Sequence, residues 1–465
     1  MGRLLFNIVL PAIGVFIAFV VQVVTDKRGC ELIFLLPVIY SVYLFCDRGI
    51  YTRALNNIGY GVFVLVATFR YFFSPLFLAL SDYNVLYGLD PPSTYYSQAV
   101  WLLLYEEVIV FLFLFFLKRK FYVESDLIQI SPAPIKRKRP FLMMTILGLF
   151  VVVFMPQMVS DIHFIGNLGK IDLSETIRIT LPLAGLFKEI VTLGRLFAVL
   201  LIIDYAFRKS RYGKRKFYVL LSVLAIVLNA SFITNLSRFG MIMPIISFTY
   251  LLMMLFKQQK RMVMRTMFSL VVMALIVISA LKFFSEDRNV GGYKSDDIEF
   301  WGDAMNMYFM GVRETAVGIY AENLINRAYE GQTYLLFLND AFSNVIGLSN
   351  FTEPQVNSVR LYNYVYFPKV NSVSQIPPNI IEGLYYWGWF LSPLYTVFFI
   401  FIFAFLDKKI RHTSNLVQKY ALLSGSLYCG LCMMINGAMI ISFLFNETLM
   451  IILYNKFGNL FQRKV

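Results

Sequence analysis

Charge is scarce in this chain. Asp, Glu, Lys and Arg make up 15% of its 465 residues, against roughly 25% in a soluble domain. That shortfall, in so apolar a chain, excludes intrinsic disorder, a collagen-like repeat and a nucleic-acid-binding domain. Histidine occurs twice and cysteine four times, at positions 30, 46, 429 and 432. Four cysteines so placed give no disulfide framework, and Cys429-x-x-Cys432 lies inside an apolar segment, where it reads as packing. There is no P-loop, dinucleotide fingerprint, H-E-x-x-H or G-x-S-x-G elbow in a credible context. No internal repeat relates the two halves, and glycine and proline interruptions within the apolar segments are few. Both observations speak against a transporter built from inverted repeats with broken helices.

What the chain has in excess is apolar surface: 58% of its residues are hydrophobic and the mean hydropathy is +0.66. A membrane-spanning helix needs about 20 mostly apolar residues, since each adds about 1.5 Å across a core of about 30 Å. That window predicts twelve spans: 4–24, 31–46, 57–80, 98–117, 141–159, 181–207, 217–234, 240–256, 266–283, 380–406, 420–438 and 440–456. The first follows only Met1-Gly2-Arg3 and lacks a small-residue cleavage site, so it is expected to be a retained helix. The expected fold is an all-α polytopic membrane protein of about 12 transmembrane helices. Lys and Arg outnumber Asp and Glu by 42 to 28, a net charge of +14. Alternate connections carry this excess unequally, 26 basic residues on the side of the N-terminus against 11 on the other. By the positive-inside rule both termini are cytoplasmic. The clusters Lys136–Arg139 and Arg208–Lys216 then fall on the cytoplasmic side, where their main role is topological.

The 284–379 connection is the long one and lies on the opposite, extracytoplasmic side. Apolar residues from Met305 through Tyr308, Val312 and Ala316 to Tyr320 follow helical spacing, as does the stretch Thr333–Val345. Both read as amphipathic helices on the outer face of the bundle. Three regions result: spans 1–9 over residues 1–283, an extracytoplasmic loop over 284–379, and spans 10–12 over 380–465.

Ionisable groups in or at the mouth of a membrane bundle are costly and are the natural functional candidates. Arg238, in Ser237-Arg238-Phe239-Gly240, occupies a short outer turn where a guanidinium can bind phosphate through two parallel hydrogen bonds, and Ser237 and Gly240 allow close approach. Arg313 lies on the expected surface helix, positioned to reach toward an anionic head, and Arg360 sits at the same mouth. Glu382 falls one turn into the span after Pro377-Pro378, where it can act as general base toward a sugar hydroxyl. His163, in an outer connection, is a second candidate base. Tyr385, Tyr386 and Trp387 are candidate sugar-stacking residues. Arg70 either neutralises Glu106, Glu107 or Glu189 or contacts phosphate from below. No metal site or cofactor is expected.

Taken together these residues resemble the Wzy family of bacterial polysaccharide polymerases, which build O-antigens and capsules. The resemblance rests on the Ser237-Arg238-x-Gly240 step, the single long outer loop, and the pattern Pro378-x-x-x-Glu382-x-x-Tyr385-x-x-Gly388. It implies a GT-C-like bundle in the bacterial cytoplasmic membrane, with its active site on the outer face and no metal requirement. The implied reaction joins oligosaccharide repeat units carried on undecaprenyl pyrophosphate, with inversion at the sugar carbon. Arg238, with Arg313 or Arg360, would hold the diphosphate, and Glu382 or His163 would deprotonate the acceptor. The implied partners are the lipid-linked glycans, the bilayer and possible chain-length regulators. Related ligases often carry a histidine near the end of the long loop; this chain has Asn371–Gln375 there, so a ligase-like mechanism is not expected. A lipid-linked oligosaccharide flippase and a polyprenyl-phosphate-sugar-dependent glycosyltransferase are the alternative readings.

Overall fold

The computed structural model describes residues 5–83, 88–122, 131–159, 162–164, 184–234, 238–270, 272, 298–329, 333–343, 345–348, 351–352, 357–367 and 375–460. Ser237 and most of the expected span 266–283 lie outside the described residues, as do the side chains of His163 and Arg238.

Among the described residues the protein is helical apart from turns, a short antiparallel ribbon, Ile162–Phe164 against Phe232–Thr234, and an isolated parallel bridge between Ala133 and Asn415. Five described helices are long and apolar enough to cross a membrane: Phe6–Val24, Ile58–Leu80, Ser93–Phe121, Ala184–Ser210 and Gly437–Gly458. Two bent pairs raise the number to seven if each is one span. Leu35–Cys46 and Arg139–Phe154 are apolar but shorter, and the expected span 217–234 forms a helix of 16 residues that ends at Ala230 before the ribbon. Hydropathy alone overstates helix length here, because an apolar run continues through turns that end the helix.

The expected single span 380–406 is two helices. Asn379–Leu391 and Pro393–His412 meet at 112°. Gly388, with φ 73° and ψ 179°, breaks the helical path in a conformation that residues with a Cβ adopt only at a cost. The proline that opens the second helix needs no N–H there. A similar bend of 115° separates Gly240–Leu255 from Lys257–Leu270. Interruption of apolar helices is thus a feature of this fold, contrary to the expectation from sequence.

The chain divides into two compact units that cut across the sequence boundaries at 284 and 380. The first comprises Met1–Ile128, Gly292–Lys408 and Ser426–Phe443. Within it, Phe6–Val24 buries Gly14, Ile17, Ala18 and Val21, one helical stripe, and leaves Phe16 and Phe19 exposed. Its apolar exposed face suits lipid. Asp407 accepts hydrogen bonds from the Gly59 and Tyr60 amides and from Ser426, so its carboxylate sits at the N-terminus of the Ile58–Leu80 helix. Arg70 pairs with Glu106 at 2.8 Å, both buried, and Thr396 donates to the other Glu106 oxygen.

The described part of the long loop is mainly helical, as its periodicity predicts, and is built into the first unit. Ile298–Phe309 packs against Ser74–Leu80, and Val312–Ala328 packs against Ser93–Phe121 and against Ser358–Tyr366. Ser358–Tyr366 was not anticipated from the periodicity. Asn357 caps it by accepting from the Arg360 amide.

The second unit comprises Gln129–Gly291, Lys409–Gly425 and Leu444–Val465. Arg139–Phe154 and Ala184–Ser210 pack along their lengths, and Thr145 Oγ1 reaches Gly194 O at 3.2 Å. Small residues at such contacts let helices approach closely.

Candidate functional site

Glu382 is the best-defined candidate. Pro378 precedes the first helical residue, and its carbonyl accepts from the amides of Ile381 and Glu382. One turn in, the Glu382 side chain is fully buried. Its Oε2 accepts from the Gly437 amide at 2.7 Å, at the start of the Gly437–Gly458 helix. A Cβ at Gly437 would run into the Tyr395 side chain, so glycine here lets Tyr395 pack against the amide that meets the carboxylate. Oε1 makes no hydrogen bond of good geometry among the described residues, although the Asn436 side chain and the Ala438 amide also face the carboxyl. A buried carboxylate oxygen in that state is energetically costly and is available to accept a proton.

A second carboxylate lies within electrostatic range of the first. Asp340, on Thr333–Phe342, accepts from Tyr386 at 2.6 Å and from the Ser358 amide at 3.0 Å. Burial pushes its carboxyl up to about 6, against the opposing pull of those two hydrogen bonds. Tyr395 stands beside Tyr386, ring centroids 5.5 Å apart, and is influenced by both carboxylates. The group is therefore two acids and two tyrosines drawn from the loop and from the broken helix, all within the first unit.

The remaining expected residues fare differently. Arg313 does not lie on a surface: it is fully buried, and its Nη1 meets Asp303 Oδ1 at 2.7 Å. Its guanidinium also stands over the Tyr366 ring, and its Nη2 lies 3.4 Å from Leu89 O. The neighbouring Glu314 accepts from Tyr362 and Tyr366. The surface reading failed because the amphipathic helix covers its charged face with the Ser93–Phe121 and Ser358–Tyr366 helices. Tyr385 and Tyr386 are not open stacking platforms. Both are buried, and their hydroxyls donate to Gly318 O and to Asp340. Trp387 is 38% exposed. Arg360 is half-buried in the first unit. Arg70 neutralises Glu106, which leaves its phosphate-binding alternative without a free charge. Arg238 opens a helix in the second unit and His163 pairs with Ile233 in the ribbon of that unit, their side chains outside the described residues.

Two groups escaped the sequence reading. Asp340 was only one of many loop acids, since nothing local marks it as buried. Glu447 lies on a π-helical stretch, Leu444–Leu449, in the second unit, within 3.3 Å of Ser424 and 3.5 Å of Tyr420. An acid in an apolar run was a usable signal for it. Cys429 and Cys432 are both buried and free. Among the described residues no three His, Cys, Asp or Glu side chains come together as a metal site.

The fold thus defines a helical protein with apolar helices of membrane-crossing length. Comparison of the chain with protein-family models, with curated proteins and with solved structures gave no match.

Proposed function

We propose that the protein is a twelve-span polymerase of the Wzy type in the bacterial cytoplasmic membrane, joining diphosphate-lipid-linked oligosaccharide units on the outer face. The observation that carries this reading is Glu382, a buried carboxyl one turn into its helix, held by one oxygen on the Gly437 amide and without a well-formed hydrogen bond at the other. In this reading Oε1 takes the proton of an acceptor sugar hydroxyl. The hydroxyl oxygen bonds to the donor's anomeric carbon from the face opposite the leaving group. The bond from that carbon to the diphosphate breaks, and its electron pair leaves on the phosphate oxygen. Fixed positive charge stabilises that oxygen in a poorly solvated site. Arg360, in the same unit as Glu382, is the arginine proposed for this role. Arg313 is reassigned as a positioning residue, because its charge is met by Asp303.

Purified protein incubated with lipid-linked repeat units should yield a ladder of chain lengths on a gel, and Arg360→Ala and Glu382→Gln should abolish it. Unextended units from folded wild-type protein would overturn the reading. The 112° bend between Asn379–Leu391 and Pro393–His412 favours a second reading, since transporters use interrupted helices at their binding sites. A flippase would move the lipid-linked unit across a vesicle bilayer and form no ladder.

A further inference from the structure

The second unit contains a cavity of about 620 Å³. Its charged lining is entirely cationic, Lys136, Arg137 and Lys456, and among the described residues no acid lines it. Ser414, Asn415 and Asn455 add hydroxyl and amide groups, while Ile135 and Phe141 supply an apolar wall.

Several features hold this arrangement in place. The Ala133 amide donates to Ser414 O at 2.7 Å, and the Ile135 amide donates to Asp204 Oδ1 at 2.7 Å. Asp204 also pairs with Lys138 and Arg208. Its negative charge is therefore matched behind the cavity, by cations that do not line it. Two helices begin at the rim. Arg139–Phe154 starts directly after the Lys136-Arg137-Lys138 run, and Leu416–Gly430 starts after Asn415, whose side chain caps the Gln418 amide. Helix N-termini carry partial positive charge, which adds to the attraction for an anion. The combination of cations, small polar donors and an apolar wall matches a phosphate group carried on a hydrocarbon body. A volume of this size falls within the range of pockets that enclose a small ligand.

We infer that this cavity is a binding site for the phosphate head of an anionic phospholipid, at the membrane rim that the distribution of Lys and Arg assigns to the cytoplasm. A basic pocket between helices at such a rim is a known way of holding a lipid phosphate. The inference rests on the membrane reading of the chain and is independent of polymerase activity.

The test uses the full chain in a non-ionic detergent, with occupancy read by native mass spectrometry. It is titrated with phosphatidylglycerol, with phosphatidylcholine and with inorganic phosphate. Phosphatidylglycerol should be retained and phosphatidylcholine should not. The combined variant Lys136→Gln, Arg137→Gln, Lys456→Gln should weaken phosphatidylglycerol binding on the order of 100-fold. An equal charge removal outside the cavity, Lys260→Gln, Arg261→Gln, Arg265→Gln, should leave binding unchanged. Lys136 and Lys456 are exposed, so Lys136→Gln with Lys456→Gln serves if the triple variant does not fold; it should still weaken binding at least about tenfold. Equal retention of the two lipids, or undiminished binding by the cavity variant, would overturn the inference. Displacement of phosphatidylglycerol by inorganic phosphate would overturn the lipid assignment and give the cavity to a soluble phosphate compound.

Discussion

Arg313 and Asp303 form an ion pair 2.7 Å long in which neither side chain reaches solvent to any useful extent, at 0% and 3% exposure. Ten residues separate them in sequence, and Met310, with φ 51°, turns the chain between their helices. Removing one partner of such a pair leaves an uncompensated buried charge, at a cost of about 3–5 kcal/mol. Asp303→Leu is therefore expected to lower the melting temperature sharply. Adding Arg313→Met should restore part of the loss, since the stranded charge is then gone. A double variant no more stable than Asp303→Leu alone would contradict the pairing.

Glu382 has a structural duty and a proposed chemical one, and two substitutions separate them. Glutamine retains a carbonyl oxygen that can accept from the Gly437 amide, so Glu382→Gln should fold and melt near the wild-type temperature. Its chain-extension rate should fall by about 10²–10⁴-fold, the usual worth of a general base. Glu382→Ala should lose stability as well, because the buried amide is left without its acceptor. Undiminished chain extension by Glu382→Gln in the proposed polymerase assay would remove the base assignment.

Asp340 imposes a pH dependence on stability. Its carboxyl lies at about 6 in the fold, above the ordinary 3.8. Between those two values the folded state holds the proton more tightly than the unfolded one. This contribution to stability is therefore largest at the acid end, declines as pH rises toward 6, and is flat above it. A rise of that size corresponds to about 3 kcal/mol. The gap in melting temperature between wild type and Asp340→Asn should change between pH 4.5 and pH 7.5 in favour of the wild type at low pH. A constant gap would contradict the raised carboxyl.

Gly388 should resist substitution. Its φ of 73° lies where a Cβ is disfavoured, although no heavy atom stands within 4 Å of the position a Cβ would take. The penalty in Gly388→Ala is thus purely one of backbone conformation, about 1 kcal/mol or slightly more. Limited proteolysis or hydrogen exchange around residues 385–393 should show a loosened bend. Wild-type stability and protection in the variant would mean that the helix does not break there.

Much of the helical content was legible in the sequence, because transfer of apolar side chains from water is a property each residue carries locally. The runs at 4–24, 57–80, 98–117 and 181–207 all emerge as long helices. The amphipathic spacing around Met305–Tyr320 also emerges, although as two helices broken at Met310 and Gly311. Glu382 was legible as a carboxylate just inside a helix start, since two prolines and a periodic apolar run mark that boundary. Asp340 was not, because its burial depends on Tyr386, which lies 46 residues away.

Composition and periodicity by themselves determined that this chain forms apolar helices of bilayer length. Tertiary structure alone decided which charges are neutralised and where helices bend. Arg313 was equally suited to an open rim or to a buried pair, and only the approach of Asp303 and Tyr366 selected the pair. The reason is that hydropathy sums over neighbours along the chain, whereas the energy of a buried charge is set by whatever distant segment comes within a few ångströms of it.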